Sequence, residues 1–231
     1  MKLSILMPVF NEAETVGRVV KAVLDVDYPC EVELVVVDDG SVDDTAAVLA
    51  ALADPRLRTH RHPANRGKGA AIRTGAAMAT GDYLVPCDAD LEYLPEELPL
   101  LLAPVLRGDA EVVYGTRSFG SHNAYSFWYV MGNKAVTLWA NVLFNAYLSD
   151  LETCFKLLPL ELYRELDVGA LGFGMEAELT GKLLRRGIRP FEVPITYRAR
   201  SRAEGKKLSW RDGVQALGIL GRERLRQVEP R

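Results

Sequence analysis

Short unbroken apolar runs, separated by segments with helical spacing, organise the first half of the chain. Leu3 to Val9 is such a run, rich in strand formers and closed by Pro8 and Asn11. Val16, Val19, Val20, Val23 and Leu24 follow at the spacing of one helix face. Glu33 to Val37 predicts a second buried strand, ended by Asp38-Asp39-Gly40-Ser41, and Asp43 or Asp44 can cap a helix carrying Ala47, Val48, Ala51 and Leu52. A short strand over Leu57 to His60 precedes Asn65-Arg66-Gly67-Lys68-Gly69, after which a small-residue helix runs from Ala70 to Ala79. Tyr83 to Cys87, Glu96 to Leu106 and Glu111 to Gly115 are strand, helix and strand. Strands that are apolar at nearly every position, alternating with helices, predict an α/β fold whose mostly parallel sheet is covered on both faces. In such sheets ligands collect at the carboxyl ends of strands, where Asn11-Glu12, Asp38-Asp39, Asp88-Asp90 and Arg117 fall.

The second half is less regular. Ser126 to Tyr147 predicts one or two helices, Cys154 to Leu158 a short strand, and Met175 to Arg186 a helix. Arg189 to Val193 reads as an edge strand bounded by Pro190 and Pro194. Trp210 to Gln227 predicts a last helix with Val214, Leu217, Leu220 and Leu225 toward one side. No internal repeat or linker divides the 231 residues, so a single domain is expected over 1–231.

Composition narrows the function. A net charge of −3 argues against a general nucleic-acid binder, yet residues 198–231 hold ten Lys/Arg against four Asp/Glu. A basic tail on an acidic body suits an anionic partner such as a diphosphate or a lipid headgroup. Cys30, Cys87 and Cys154 are far apart and are expected as buried thiols of a reducing compartment; His60, His62 and His122 show no metal-ligand spacing. The N-terminal apolar run is short and broken by Pro8, unlike a signal peptide, and no run reaches the roughly 18 apolar residues of a membrane span.

The candidate chemistry begins at Asp88-Ala89-Asp90. A strand ending in two carboxylates one residue apart can aim both at a divalent cation, and hard oxygen ligands suit Mg²⁺ or Mn²⁺, which bind substrate phosphates. Gly67-Lys68-Gly69 lacks the full phosphate-loop pattern, so an ATPase is disfavoured; its glycines would let the backbone turn into a helix close to the nucleotide. No Gly-x-Gly-x-x-Gly follows the first strand, which disfavours a dinucleotide-binding dehydrogenase, and a nucleotidyltransferase would need a Gly-rich triphosphate loop there.

Met7-Pro8-Val9-Phe10-Asn11-Glu12, Val37-Asp38-Asp39-Gly40-Ser41, Asn65-Arg66-Gly67-Lys68-Gly69 and Asp88-Ala89-Asp90 occur in that order, each beside a predicted strand. Together they resemble the nucleotide-binding half of family 2 glycosyltransferases of the GT-A (Rossmann-like) fold, and within them the dolichyl- or polyprenyl-phosphate sugar synthases. Gly115-Thr116-Arg117, Thr153-Cys154-Phe155-Lys156, Gly172-Phe173-Gly174-Met175-Glu176 and the segment from Arg200 to Lys207 extend the resemblance. It implies a nucleotide-sugar half over 3–117, an acceptor half over 118–213 and a basic helix over 214–231. It implies a UDP- or GDP-linked sugar donor, with Asp90 on the metal, Asp88 at the ribose, the metal or both, Asp39 accepting from the base, Glu12 near the ribose, Pro8 packing against the base and Phe10 among the nucleotide-binding residues. Arg66 and Lys68 would touch phosphate.

For the acceptor two chemistries stay open. A polyprenyl phosphate is already an anion and needs a cationic pocket, for which Arg117, Arg200, Arg202, Lys206 and Lys207 are candidates, with Gly205 keeping that segment mobile. An alcohol needs a base, for which Glu176 or Asp150 is a candidate, although the family's usual Glu-Asp pair reads Glu176-Ala177 here. A non-catalytic nucleotide-sugar binder is the alternative from another class. The aromatic segment Tyr125 to Tyr147 would rest on a membrane, bury an acyl chain, or pack in a core or homodimer. The expected location is cytoplasmic, peripheral at the inner membrane face.

Overall fold

The computed structural model describes residues 1–121, 126–172, 174–199 and 210–226. Seven strands form one sheet, β1 (Lys2–Val9), β2 (Glu31–Asp38), β3 (Leu57–Arg61), β4 (Tyr83–Pro86), β5 (Val113–Thr116), β6 (Lys156–Pro159) and β7 (Phe191–Pro194), in the order β3-β2-β1-β4-β6-β5-β7. β1, β2, β3 and β4 pair in parallel, as do β5 and β7. β6 alone runs antiparallel, against both β4 and β5.

Successive side chains of a strand point to opposite faces, and here both faces are covered. Leu3, Ile5, Met7 and Val9 join one core with α1 (Val16–Leu24) and α4 (Leu98–Leu106), while Leu6 faces a second core with α3 (Lys68–Met78), α6 (Leu160–Leu166) and α7 (Met175–Arg185). Leu34 and Val36 divide from Val35 and Val37 in the same way. That is why these strands read as unbroken apolar runs. The short α2 (Thr45–Ala50) packs beside α1, and its start is held by Asp43, whose carboxylate accepts from Thr45 N at 3.0 Å.

A third cluster joins α5 (Phe127–Phe144), α7 and α8 (Trp210–Leu225). The predicted helix over residues 126–147 is thus one helix. The buried side of α8 differs from the expectation: Ala216, Ile219, Leu220 and Glu223 are buried, whereas Val214 and Leu225 are exposed. Glu223 lies inside because Arg185 meets it at 3.2 Å, an ion pair that apolar periodicity cannot register. Among the described residues no helix is long and apolar enough to cross a membrane.

The topology gathers loops at one edge. β2, β1 and β4 are neighbours and parallel, so the residues after each emerge side by side. β5 delivers Arg117 to the same edge, and antiparallel β6 begins there, which brings in residues 149–155 that precede it.

Candidate active site

A cleft of about 1640 Å³ opens at this edge. That exceeds the roughly 300–1,000 Å³ of a typical small-molecule pocket, and leaves room for two substrates. Pro8, Phe10, Glu12, Asp39, Lys68, Asp88, Asp90, Arg117, Asp150 and Glu176 all line it. Arg202 and Lys206 lie outside the described residues, as do Arg200, Gly205 and Lys207.

The nucleotide-side loops are tied to one another. Asn11, in the left-handed conformation (φ 53°), receives a bond from Val42 N at 2.9 Å, while its own N–H donates to Ser41 Oγ at 2.9 Å. Glu12 N donates to Thr45 Oγ1 at 2.9 Å, and the Glu12 carboxylate accepts from Thr15 Oγ1 at 2.8 Å. Asp39 is buried, and its carboxylate accepts from Arg66 N (3.0 Å), Gly67 N (2.7 Å) and His62 Nδ1 (2.6 Å). His62 reaches Thr74 Oγ1 with its other ring nitrogen at 2.9 Å. Asp39 therefore fixes the turn into α3, a job beyond the base contact expected of it. His62, passed over for want of metal-ligand spacing, is the residue that holds it.

Gly67, with a positive φ at the N-cap of α3, turns the backbone into the helix as expected, and the two glycines have a second reason. A Cβ on Gly67 (φ 95°) would stand 2.3 Å from Leu171 O, and one on Gly69 would stand 2.0 Å from Ala170 O. Close approach of the 170–171 backbone excludes side chains here.

At the end of β4 Asp88 and Asp90 both face the cleft. Lys68 Nζ lies 2.9 Å from Asp88 Oδ2 and 3.0 Å from Glu176 Oε1. Burial opposes the Lys68 charge, but Asp88, with Glu176, outweighs it and holds the amine protonated well above its ordinary range. Asp90 Oδ1 accepts from Glu92 N at 3.0 Å across Leu91, whose φ of 61° is uncommon for a bulky residue. Such strained backbone beside a carboxylate pair is the pattern found at functional sites.

The far end of the cleft is built on Arg117. Its Nε and Nη2 donate to Asp150 at 2.6 and 2.8 Å, and its guanidinium lies 4.9 Å from the Tyr197 ring centroid. Burial alone would raise the Asp150 carboxyl, but the Arg117 charge and hydrogen bonds from Arg117 and Asn133 hold it down to about 2. Asp150 is thus the counter-ion of Arg117, and a carboxylate held so low is a weak proton acceptor. Glu152 also lines the cleft and was missed. Its only signal in the sequence was its place two residues after Asp150, just before the Cys154 to Leu158 strand.

One side of the aromatic helix is exposed, and its first turn also lines the cleft. Phe127, Trp128, Met131, Leu138 and Val142 of α5 are exposed, Trp128 at 79%. Arg224 of α8 donates to Leu143 O at 2.8 Å, which sets the basic end of α8 against the end of this helix.

Residues 4–157 match the model of Glycosyl transferase family 2. The chain is 30% identical over 208 residues to polyprenol monophosphomannose synthase of Mycolicibacterium smegmatis, covering 85% of this chain and 77% of that one. It is 30% identical over 220 residues to undecaprenyl-phosphate mannosyltransferase of Micrococcus luteus, covering 89% and 87%. Among solved structures, glucosyl-3-phosphoglycerate synthase from Mycobacterium tuberculosis in complex with Mn²⁺, UDP and phosphoglyceric acid superposes with a TM-score of 0.75 at 21% identity, over 97% of this chain and 78% of that one. The fold is that of the GT-A glycosyltransferases.

Proposed function

The chain belongs to glycosyl transferase family 2, and on that premise we propose that it moves a hexose from a nucleoside diphosphate sugar to a polyprenyl phosphate. The observation that carries this is one cleft with the Asp88/Asp90 pair and Lys68 at one end and Arg117 at the other. The two relatives above, named for polyprenol and undecaprenyl phosphate, support the acceptor.

Asp88 and Asp90 fit Mg²⁺ or Mn²⁺. They offer only carboxylate oxygens, and no third His, Cys, Asp or Glu completes a cage among the described residues, which leaves ligand positions for phosphate oxygens and water as Mg²⁺ prefers. When bound, the ion neutralises charge that develops on the departing diphosphate. Lys68 adds a fixed positive charge beside it, and Glu12, Pro8, Phe10 and Asp39 form the walls for ribose and base. In a single in-line, inverting displacement the bond from the anomeric carbon to the diphosphate oxygen breaks as a bond to the acceptor phosphate oxygen forms. The acceptor is an anion already, so no proton has to be removed, in keeping with an Asp150 carboxyl held at about 2. Arg117 draws the acceptor phosphate toward the cleft, together with the basic segment that carries Arg202 and Lys206 in the sequence.

The exposed apolar side of α5, next to Arg222, Arg224 and Arg226, suits an anionic bilayer surface, where a polyprenyl phosphate resides. A thermal-shift screen of UDP and GDP with and without Mn²⁺ tests the donor half. Metal-dependent stabilisation by one of them in the native protein, lost in Asp90→Ala, is the expected result. Equal stabilisation of Asp90→Ala would remove Asp90 from the metal site.

A further inference from the structure

Glu152 has no part in the chemistry above, yet the structure is built to hold it. Lys156 is fully buried, and its ammonium donates to Leu151 O at 2.7 Å and to Thr153 O, the carbonyls on either side of residue 152. The same ammonium lies 4.6 Å from the Tyr114 ring centroid. Stapled from beneath in this way, the turn sets Glu152 in the wall of the cleft.

Two carboxyl oxygens there, Glu152 Oε1 and Glu176 Oε2, are buried with no hydrogen-bond partner. Glu176 spends its other oxygen on Lys68, which leads to Asp88, while Glu152 feels the charges of both Glu176 and Arg117. The cleft thus has a charged end at Asp88 and Lys68, another at Arg117, and between them two carboxyl groups with acceptor capacity to spare. Burial, then the Glu176 charge, push the Glu152 carboxyl up to about 7, so this stretch resists further negative charge. Phosphate oxygens bring negative charge and no donor. Sugar hydroxyls bring donors without charge.

We infer that Glu152, beside Glu176, recognises hydroxyl groups of the transferred hexose and is a specificity-determining contact. The inference rests on the donor half of the proposed function, a nucleoside diphosphate sugar in this cleft, and is independent of the acceptor. A ligand cycle tests it, with donor turnover measured for UDP-glucose, GDP-mannose and their monodeoxy forms, alongside the Kd of UDP and GDP with Mn²⁺. In the native protein, loss of the hydroxyl that faces Glu152 should lower kcat/KM by about tenfold or more, because a carboxyl is left unpaired. In Glu152→Leu the parent and deoxy donors should differ by less than about threefold, with Kd for the free nucleotide kept within about twofold. Glu152→Gln, of nearly the same shape, should fall between and covers a leucine variant that fails to fold.

Undiminished discrimination in the variants overturns the inference, and so does an equal loss of free-nucleotide affinity. A displaced pH profile with discrimination intact would make Glu152 a proton carrier instead. A native protein that binds neither nucleotide would fell the donor reading itself, an outcome separate from these.

Discussion

Asp150→Asn should be among the most damaging single-atom exchanges in this protein. The carboxylate is 1% exposed and accepts from Arg117 N (3.1 Å), Nε (2.6 Å) and Nη2 (2.8 Å) and from Asn133 Nδ2 (3.0 Å). The amide leaves the Arg117 guanidinium, itself 16% exposed in the cleft wall, without its counter-charge, a change that costs about 3–5 kcal/mol for a fully buried pair and less where the cleft admits water. Proton linkage supplies a second figure. Moving the carboxyl from 3.8 to about 2 corresponds to roughly 2–3 kcal/mol at neutral pH. Both point to about 3 kcal/mol, read by urea denaturation at pH 7, or a melting temperature lower by roughly 6–12 °C for a chain of this size. The sign with pH is fixed: the folded carboxyl titrates below its unfolded value, so its contribution is whole above pH 3.8 and fades as pH falls toward 2. Native and variant proteins should therefore converge in acid. Arg117→Met with Asp150→Leu should recover much of the lost stability without restoring transfer, because Arg117 is also needed for the acceptor. A loss under about 1 kcal/mol, or a gap that persists into acid, would refute the pairing.

Three further outcomes are expected. Burial raises the Glu33 carboxyl, but bonds from Ser4, Thr80 and Lys2 outweigh it and bring it to about 2, so its stabilisation is present above pH 4.5 and lost below; Glu33→Gln should flatten that acid limb in denaturation curves. Gly69→Ala should cost about 1–3 kcal/mol by overpacking and distort the cleft, since its Cβ would meet Ala170 O at 2.0 Å; full stability in thermal melts would contradict this. Trp128→Asp, at an exposed site, should change stability by less than about 0.5 kcal/mol while weakening co-sedimentation with anionic vesicles. Unchanged vesicle binding would remove α5 from the membrane face.

The strands of the nucleotide half were legible because their apolar runs are continuous, and a strand buried on both faces leaves few other options for Leu3 to Val9 or Glu33 to Val37. The cleft position of Asp88 and Asp90 was legible because they follow such a run, at the carboxyl end of β4. What hid was whatever depends on pairing between distant segments. The antiparallel direction of β6 follows from its two neighbours, and only that direction brings Asp150 and Glu152 to the ligand edge. His62 takes its meaning from the register that sets β3 beside β2, one residue past the Asp38↔Arg61 pair. α6, seven residues after Pro159, was too short to show a period. Nothing in the sequence shows that Lys156 is spent on two backbone carbonyls beneath the cleft.

Transfer to a lipid phosphate can be read by giving the protein a radiolabelled UDP- or GDP-hexose, Mn²⁺ and undecaprenyl phosphate, then extracting with organic solvent. Label should enter the organic phase only with the metal and the lipid phosphate present, and not at all with Asp90→Ala, a variant that should still melt cooperatively. Label that stays in water whatever the lipid, with donor consumed, would contradict it and turn attention to a soluble acceptor.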